Sequence, residues 1–115
     1  MSKKFFIVFI ILEITCFIPN ISYSGDLKKT KSLVLRACSL CHGLDGRATT
    51  GGNSAITPNL TAQQRDYLIA KLKDYRSGRI NHPQMSLIAQ MLNDKDIENV
   101  SEWYSSIKVE IKLPE

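Results

Sequence analysis

The stretch RACSLCHGLDG (residues 36–46) places two cysteines three positions apart, with a histidine directly after the second cysteine and two glycines close behind. Zinc sites, thiol–disulfide exchange and covalent haem attachment all use paired cysteines at this spacing. Other features of the sequence are therefore needed to distinguish these three kinds of site.

Zinc and dithiol redox chemistry fit the chain poorly. A zinc site needs four ligands, but the chain offers one such pair and two histidines, and His42 adjoins Cys41 too closely for both to reach one tetrahedral ion easily. A thioredoxin-like pair belongs in a βαβ pattern, which is missing. A disulfide between Cys38 and Cys41 would close a small loop and remove little chain entropy.

Covalent haem fits the same three residues. The thiols of Cys38 and Cys41 can add across the two vinyl groups of a porphyrin, because the two residues between them let one helical turn span the distance. His42 then lies under the iron as an axial ligand. The pattern Cys-x-x-Cys-His therefore predicts c-type haem attachment.

The first 24 residues, MSKKFFIVFIILEITCFIPNISYS, differ from the rest. Lys3 and Lys4 precede a long apolar run that only Glu13 interrupts, and small residues end the segment. This pattern predicts a signal peptide (residues 1–24) that is cleaved before Gly25. An uncleaved membrane tether is the alternative, although the apolar run is shorter than the ~20 residues of a spanning helix.

Cleavage leaves residues 25–115 as one small domain, in which Cys38 and Cys41 are the only cysteines because Cys16 falls in the removed segment. Lipidation of Cys16 is a second alternative, which Thr15 before it fits poorly. The net charge of the full chain is only +4 at pH 7, which argues against nucleic-acid binding.

Apolar residues recur at helical spacing in three segments, which predicts an all-α domain. These residues are Leu27, Thr30, Val34 and Ala37 in the first segment, Leu68, Leu72 and Tyr75 in the second, and Ile97, Val100, Tyr104 and Ile107 in the third. A shorter amphipathic turn contains Leu87, Ile88, Met91 and Leu92. We expect Thr61 and Gly78 to cap the second helix and Asn93 to cap the last.

The segment between the first two helices, HGLDGRATTGGNSAITPNL (residues 42–60), has no strong period and predicts a long loop. Helices of this length in so small a domain bury a limited core. A large apolar cofactor would fill the middle of the molecule.

At this point the chain resembles the small class I monohaem cytochromes c, of the bacterial cytochrome c553 and cytochrome c4-domain type. The resemblance rests on three segments that together span most of residues 33–107. They are CSLCHGLDGR (38–47), PNLTAQQRDYLIAKLKDYRSGRI (58–80) and HPQMSLIAQMLNDKDIENVSEWYSSI (82–107).

The resemblance implies the cytochrome c fold, with three main helices and a short one wrapped around one covalent haem c. Cys38 and Cys41 would carry the thioether bonds, and His42 would be the proximal iron ligand. The Pro58 carbonyl would accept a hydrogen bond from His42, and Met85 would be the distal ligand.

His82 and Met91 remain alternatives to Met85 as distal ligand. We expect Met91 to pack on the apolar side of the short helix and His82 to face water. The chain departs from the family pattern at Leu87, which replaces a frequent proline, and at Met91, which replaces a small residue.

The haem pocket is expected to be lined or backed by Leu33, Leu60, Leu68, Leu72 and Tyr75. Trp103 is expected to pack where the first and last helices cross. Basic residues could rim the haem edge and steer an acidic partner, although such runs are also typical of a solvated helix face. These residues are Lys28, Lys29, Lys31, Lys71, Lys73, Arg76 and Arg79.

The functional hypothesis is a periplasmic carrier of single electrons that is not an enzyme. Its partners would be redox proteins that donate and accept electrons, with loose association with membrane complexes possible. One alternative is the haem subunit of a larger oxidoreductase, such as a flavoprotein sulfide dehydrogenase. Another is a haem enzyme or gas sensor in which the Met85 bond is labile.

Overall fold

The computed structural model describes residues 26–115, and the predicted signal peptide (residues 1–24) lies outside them. This part of the chain is helical and contains no strand, so the all-α prediction is confirmed. Its helices are α1 (Leu27–Ala37), α2 (Ser39–His42), α3 (Ala48–Gly51), α4 (Arg65–Ser77), α5 (Met85–Gln90) and α6 (Asp94–Ser105).

Helices α1 and α6 begin at strong caps. The Asp26 carboxylate accepts hydrogen bonds from the backbone N–H groups of Lys28 and Lys29, both at 3.1 Å. Asn93 caps α6 as predicted: its side chain accepts the N–H of Asp96 at 2.8 Å, and the Asp96 carboxylate accepts the N–H of Asn93 at 3.3 Å. This reciprocal capping box satisfies two N–H groups that the helix leaves unpaired.

Helix α4 ends as predicted but begins later than expected. Gly78 ends it in the left-handed conformation at φ +78°, which glycine adopts without strain. Thr61 was predicted to cap its start, but the helix begins four residues later, at Arg65. The Thr61 hydroxyl instead donates to the Asp45 carbonyl at 2.7 Å, and the N–H of Ala62 donates to the Tyr104 carbonyl at 2.9 Å. These contacts hold the chain in a turn before α4 can start.

The core lies where the three long helices meet. Helix α1 packs across α6, as the sequence predicts, and α4 packs against both α5 and α6. The buried apolar side chains at these contacts are Leu33, Val34, Leu68, Leu92, Ile97, Val100 and Tyr104. Periodicity placed most of the inward faces of α1 and α6 correctly, because each buries one apolar stripe. It was wrong at Leu27, which is 72% exposed at the start of α1, and Ile107 lies beyond the end of α6.

One helical turn, α3, interrupts the segment that the sequence predicts to be loop. It packs directly on α2, and a Cβ atom added at Gly51 would overlap the Gly43 nitrogen and the Ser39 carbonyl oxygen. Only glycine allows this approach of the two backbones. The contact fixes the position of α2, which carries the cysteine–histidine motif.

Within residues 26–115, none of the helices is both long and apolar enough to span a bilayer.

Candidate functional site

A cavity of about 280 Å³ lies between α2, the segment around Pro58, α4 and the segment that leads into α5. Its lining includes both cysteines of the motif, His42 and Met85. The other residues expected around a haem also line it, namely Pro58, Leu60, Leu68, Leu72 and Tyr75. Leu33 lies in the core cluster behind the cavity and not in its lining.

The two cysteines lie at the junction of α1 and α2 and on the turn of α2. Cys38 ends α1 and is buried, whereas Cys41 is exposed, and both are free thiols. Their spacing on a helical turn brings both to the same side of α2. Burial raises the pKa of the Cys38 thiol to about 11. The thiol therefore lies in a poorly hydrated wall of the cavity, as attachment to an apolar ring requires.

His42 is buried, and its ring is held in one orientation. Its Nδ1 lies 2.9 Å from the Pro58 carbonyl oxygen, which can only accept, so Nδ1 carries the proton and donates. Burial lowers the pKa of His42, and the hydrogen bond to Pro58 opposes part of that shift. The ring is therefore a neutral imidazole with the lone pair of Nε2 available, which is the form that binds a metal.

Two side chains of α6 fasten the backbone that follows His42. The Tyr104 hydroxyl donates to the Gly43 carbonyl at 3.0 Å, and Trp103 Nε1 donates to the Leu44 carbonyl at 3.0 Å. Sequence reasoning expected Trp103 only to pack and did not foresee either bond. A hydrogen bond to a distant backbone carbonyl leaves no signature in the residue type that accepts it.

Met85 is the first residue of α5 and is half-buried. Its side chain reaches the same cavity as the cysteine–histidine motif, although 43 positions separate it from His42. The arrangement brings two thiols, the imidazoles of His42 and His82, and one thioether together around a largely apolar space. That donor set matches a covalently attached iron porphyrin with two axial ligands.

The two alternative distal ligands, Met91 and His82, lie in different surroundings, and neither lies where it was expected. Met91 is 71% exposed and is absent from the cavity lining, so the expectation that it packs is wrong. Leu87, one turn earlier, is 64% exposed. Helix α5 buries Ser86 and Ala89 instead, which leaves these two larger side chains on its outer side. His82 does line the cavity and is half-buried, so it does not simply face water.

A buried hydroxyl provides a test of whether the cavity fits a bound group. Ser101 of α6 is fully buried, lines the cavity, and has no hydrogen-bond partner for its Oγ atom among the described residues. An orphaned buried hydroxyl costs about 1–3 kcal/mol. The cavity therefore fits an occupant that brings its own polar atoms or an ordered water.

Of the basic side chains expected at the haem edge, Lys71 lies at the cavity, whereas Arg76 and Arg79 make other contacts. Lys71 lines the cavity and lies over the Tyr67 ring, 5.5 Å from its centroid. Arg79 is committed to the buried carboxylate of Asp74, and Arg76 donates to the Leu92 carbonyl and to Asp94.

The model of the Cytochrome c family matches residues 27–108. Cytochrome c-554(548) of Halomonas halodenitrificans is 42% identical over 72 residues, which is 60% of this chain and 82% of that protein. Cytochrome c4 of Pseudomonas aeruginosa is 25% identical over 76 residues (66% of this chain, 36% of the relative). The Thiosulfate dehydrogenase electron acceptor of Stutzerimonas stutzeri is 35% identical over 65 residues (56% and 29%). The matched part spans about a third of the last two proteins.

Proposed function

Because the chain belongs to the cytochrome c family, and is therefore an electron-transfer protein with covalently bound haem c, we propose that it is a periplasmic carrier of single electrons with one haem. The observation that carries this proposal is a single cavity lined by both cysteines, His42 and Met85. One such cavity with one attachment motif supports one haem in the described part of the chain.

Each of these side chains has a distinct role in the proposal. Cys38 and Cys41 form the thioether bonds, and His42 is the proximal ligand through Nε2. The Pro58 carbonyl holds the ring and increases its donor strength, because it accepts the Nδ1 proton at 2.9 Å. Met85 is the distal ligand, and its soft thioether favours the ferrous state and raises the reduction potential.

The haem supplies an iron that gains or loses one electron, and the chain supplies a fixed and apolar surrounding. Leu68 and Leu72 give the cavity an apolar wall, and His42 and Met85 would both hold the iron, which would leave no open position for a substrate. Little rearrangement then accompanies the change of charge. This arrangement suits a carrier and not a catalyst.

The location and the partners are proposed from the sequence and the relatives. The pattern of residues 1–24 supports export to the periplasm. We propose redox proteins as both electron donor and electron acceptor. The relative named Thiosulfate dehydrogenase electron acceptor supports a dehydrogenase as the donor.

The proposal is tested by producing the full chain in cells that contain a c-type maturation system. We expect one haem per chain that survives denaturation, and a redox titration that fits a single one-electron step. Cys38→Ser combined with Cys41→Ser is the matched control and should carry no haem after denaturation. Haem that is absent from the wild-type chain, or that dissociates on denaturation, would contradict the proposal.

Carbon monoxide separates the carrier from a haem enzyme or gas sensor. A reduced carrier with both axial positions filled should not bind carbon monoxide at neutral pH. Rapid binding would instead favour the labile-ligand alternative. Isolation of the chain in a tight complex with a flavoprotein would favour the oxidoreductase-subunit alternative.

A further inference from the structure

His82 makes hydrogen bonds in the turn before α5 that its possible role as an iron ligand does not explain. Its Nδ1 accepts the backbone N–H of Met85 at 3.1 Å and that of Gln84 at 3.3 Å. Both donors are backbone amides, so Nδ1 must offer its lone pair. The first N–H groups of a helix have no partner inside it, and Gln84 at the N-cap of α5 makes no side-chain cap. The His82 ring, two residues earlier, accepts the N–H groups of Gln84 and Met85 instead.

The backbone of His82 closes the same turn from the other direction. Its N–H donates to the Ser86 hydroxyl at 3.0 Å, and its carbonyl accepts the N–H of Ser86 at 3.1 Å. The Ser86 hydroxyl donates in turn to the Ile80 carbonyl at 3.3 Å. Ser86 is buried, so these bonds lie where water competes little for them.

The ring also connects the turn to α4. His82 meets Tyr75 edge-on, with ring centroids 6.0 Å apart and planes at 72°. Both rings line the cavity. The imidazole thus joins the backbone at Met85 to the longest helix of the domain, and rotation of the ring would release both N–H groups at once.

The proton on the ring distinguishes this role from iron ligation. A neutral imidazole has one N–H, and because Nδ1 of His82 accepts, Nε2 carries that proton. Nε2 could bind iron only if the proton moved to Nδ1, which would break both hydrogen bonds, or if the ring became an imidazolate. His42 has the opposite arrangement, with Nδ1 donating to Pro58 and Nε2 free. The two histidines of the chain are therefore not interchangeable as ligands.

We propose that His82 is a positioning residue for Met85: its Nδ1 holds the backbone N–H of Met85, fixes the first turn of α5, and so keeps the thioether directed at the iron. This inference rests on the proposed ligation by Met85. It makes the strength of the distal bond depend on a hydrogen-bond acceptor at position 82.

The test compares His82→Phe, His82→Asn and Met85→Ala in the matured full-length protein. Phenylalanine keeps a ring against Tyr75 but cannot accept, whereas asparagine is a good cap that can accept the same N–H groups. The two readouts are the weak long-wavelength band of ferric haem with a methionine ligand, and the affinity of the ferric protein for added imidazole, which competes with Met85.

We expect His82→Phe to keep its covalent haem, to weaken the band, and to bind imidazole about tenfold more tightly, which corresponds to about 1.4 kcal/mol. His82→Asn should stay within about twofold of wild type, because its side chain replaces the acceptor. His82→Ala is a second acceptor-free variant, and it should match His82→Phe.

Three results would overturn the inference. Wild-type behaviour of both acceptor-free variants would show that the hydrogen bonds do not hold Met85. A band retained in Met85→Ala would show that Met85 is not the methionine ligand, so that His82 would have no ligand to position. A wild-type protein with covalent haem but no band would remove Met85 ligation, while the electron-carrier proposal would stand on its redox titration.

Discussion

The two sides of the cavity are held in different ways. The attachment side, around His42, is fastened by side chains of α6 that are 59 and 61 positions away along the chain. On the methionine side α5 packs on α4, but the hydrogen bonds that hold the turn into α5 join residues only a few positions apart, namely Ile80, His82, Met85 and Ser86. Loss of one contact on the attachment side should therefore weaken the whole fold, whereas loss of one on the methionine side should mainly change the distal bond.

The largest effect is expected from removing the attachment itself. Cys38→Ser with Cys41→Ser leaves a cavity of about 280 Å³ in the centre of the domain without covalently held contents. We expect a large fall in the thermal midpoint, because the cofactor is part of the core. Calorimetry of the matured wild type and of the double variant purified from the same cells measures it. Equal midpoints would show that the helices fold independently of the attachment.

The next largest effect is expected at Gly51, where α3 touches α2. Gly51→Ala would place a methyl group against the backbone of Gly43 and Ser39. We expect destabilisation by about 3 kcal/mol, at the upper end for overpacking. The matched control is Gly78→Ala, where the added methyl group meets open space and only the left-handed backbone, at φ +78°, opposes it.

For the control we expect about 1 kcal/mol, the strain of a non-glycine residue in that conformation. Urea unfolding of both variants gives the two free energies. Similar losses at the two positions would mean that α3 can move away from α2, and that the attachment side is not as rigid as the packing indicates.

Tyr104→Phe should have an intermediate effect. It removes one of two hydrogen bonds to the buried Gly43 carbonyl, which keeps the N–H of Gly46 at 3.2 Å, so the loss should be about 0.5–1.5 kcal/mol. Tyr67→Phe is the control, because Tyr67 is 49% exposed. Chemical denaturation should show a clear loss for the first variant and almost none for the second.

The same tyrosine predicts a dependence on alkaline pH. Burial, with the nearby Cys38 and Asp45, raises the pKa of Tyr104 above the ordinary value of 10.0. The unfolded chain then loses the phenolic proton at a lower pH than the folded chain, so stability present below pH 10 falls as the pH rises beyond it. Tyr104→Phe should flatten this part of the profile, and a variant that keeps the full decline would assign it to other groups.

The smallest effect is expected at Asp94, where Arg76 connects α4 to the start of α6. The hydrogen bond from Arg76, at 2.6 Å, lowers the pKa of Asp94 below its ordinary value of 3.8. The stabilisation that Asp94 contributes is therefore present above pH 3.8, its pKa in the unfolded chain. It is lost as the pH falls through the lower pKa that Asp94 has in the folded protein. Asp94→Asn should reduce stability slightly at pH 7 and lose this acid dependence.

A double-mutant cycle with Arg76→Gln measures the coupling between the two side chains. Because Asp94 is exposed, the coupling should be small and should shrink further in high salt. The bond between Arg76 and the Leu92 carbonyl cancels in the cycle, so a large coupling that salt does not change would contradict this prediction.

Much of the fold follows from local patterns. Apolar periodicity located α1, α4 and α6, and capping chemistry located Gly78 and Asn93, because both signals act within a few residues. Thr61 shows the limit of such reasoning. It has the right residue type for a cap, but tertiary hydrogen bonds use its hydroxyl elsewhere.

The sequence predicts the chemistry of the site, but only some of the contacts that hold its residues in position. The motif at Cys38, Cys41 and His42 is contiguous, and its spacing indicates haem attachment once the missing zinc ligands and the missing βαβ pattern are considered. The bonds made by Tyr104 depend on how α6 lies across the domain, and backbone acceptors leave no trace in sequence. The predicted buried face of α5 was also wrong at Met91, because a six-residue helix has too few positions to define a face.

The account depends most directly on Met85 as the distal ligand of an otherwise fixed haem. The decisive measurement is the ferric absorption spectrum of the matured wild-type protein and of Met85→Ala. We predict that the long-wavelength band is present in the wild type and absent in Met85→Ala, with covalent haem retained and a reduction potential lower by a few tenths of a volt, within the ~0.8 V that axial ligands span. A band that persists in Met85→Ala would contradict the account.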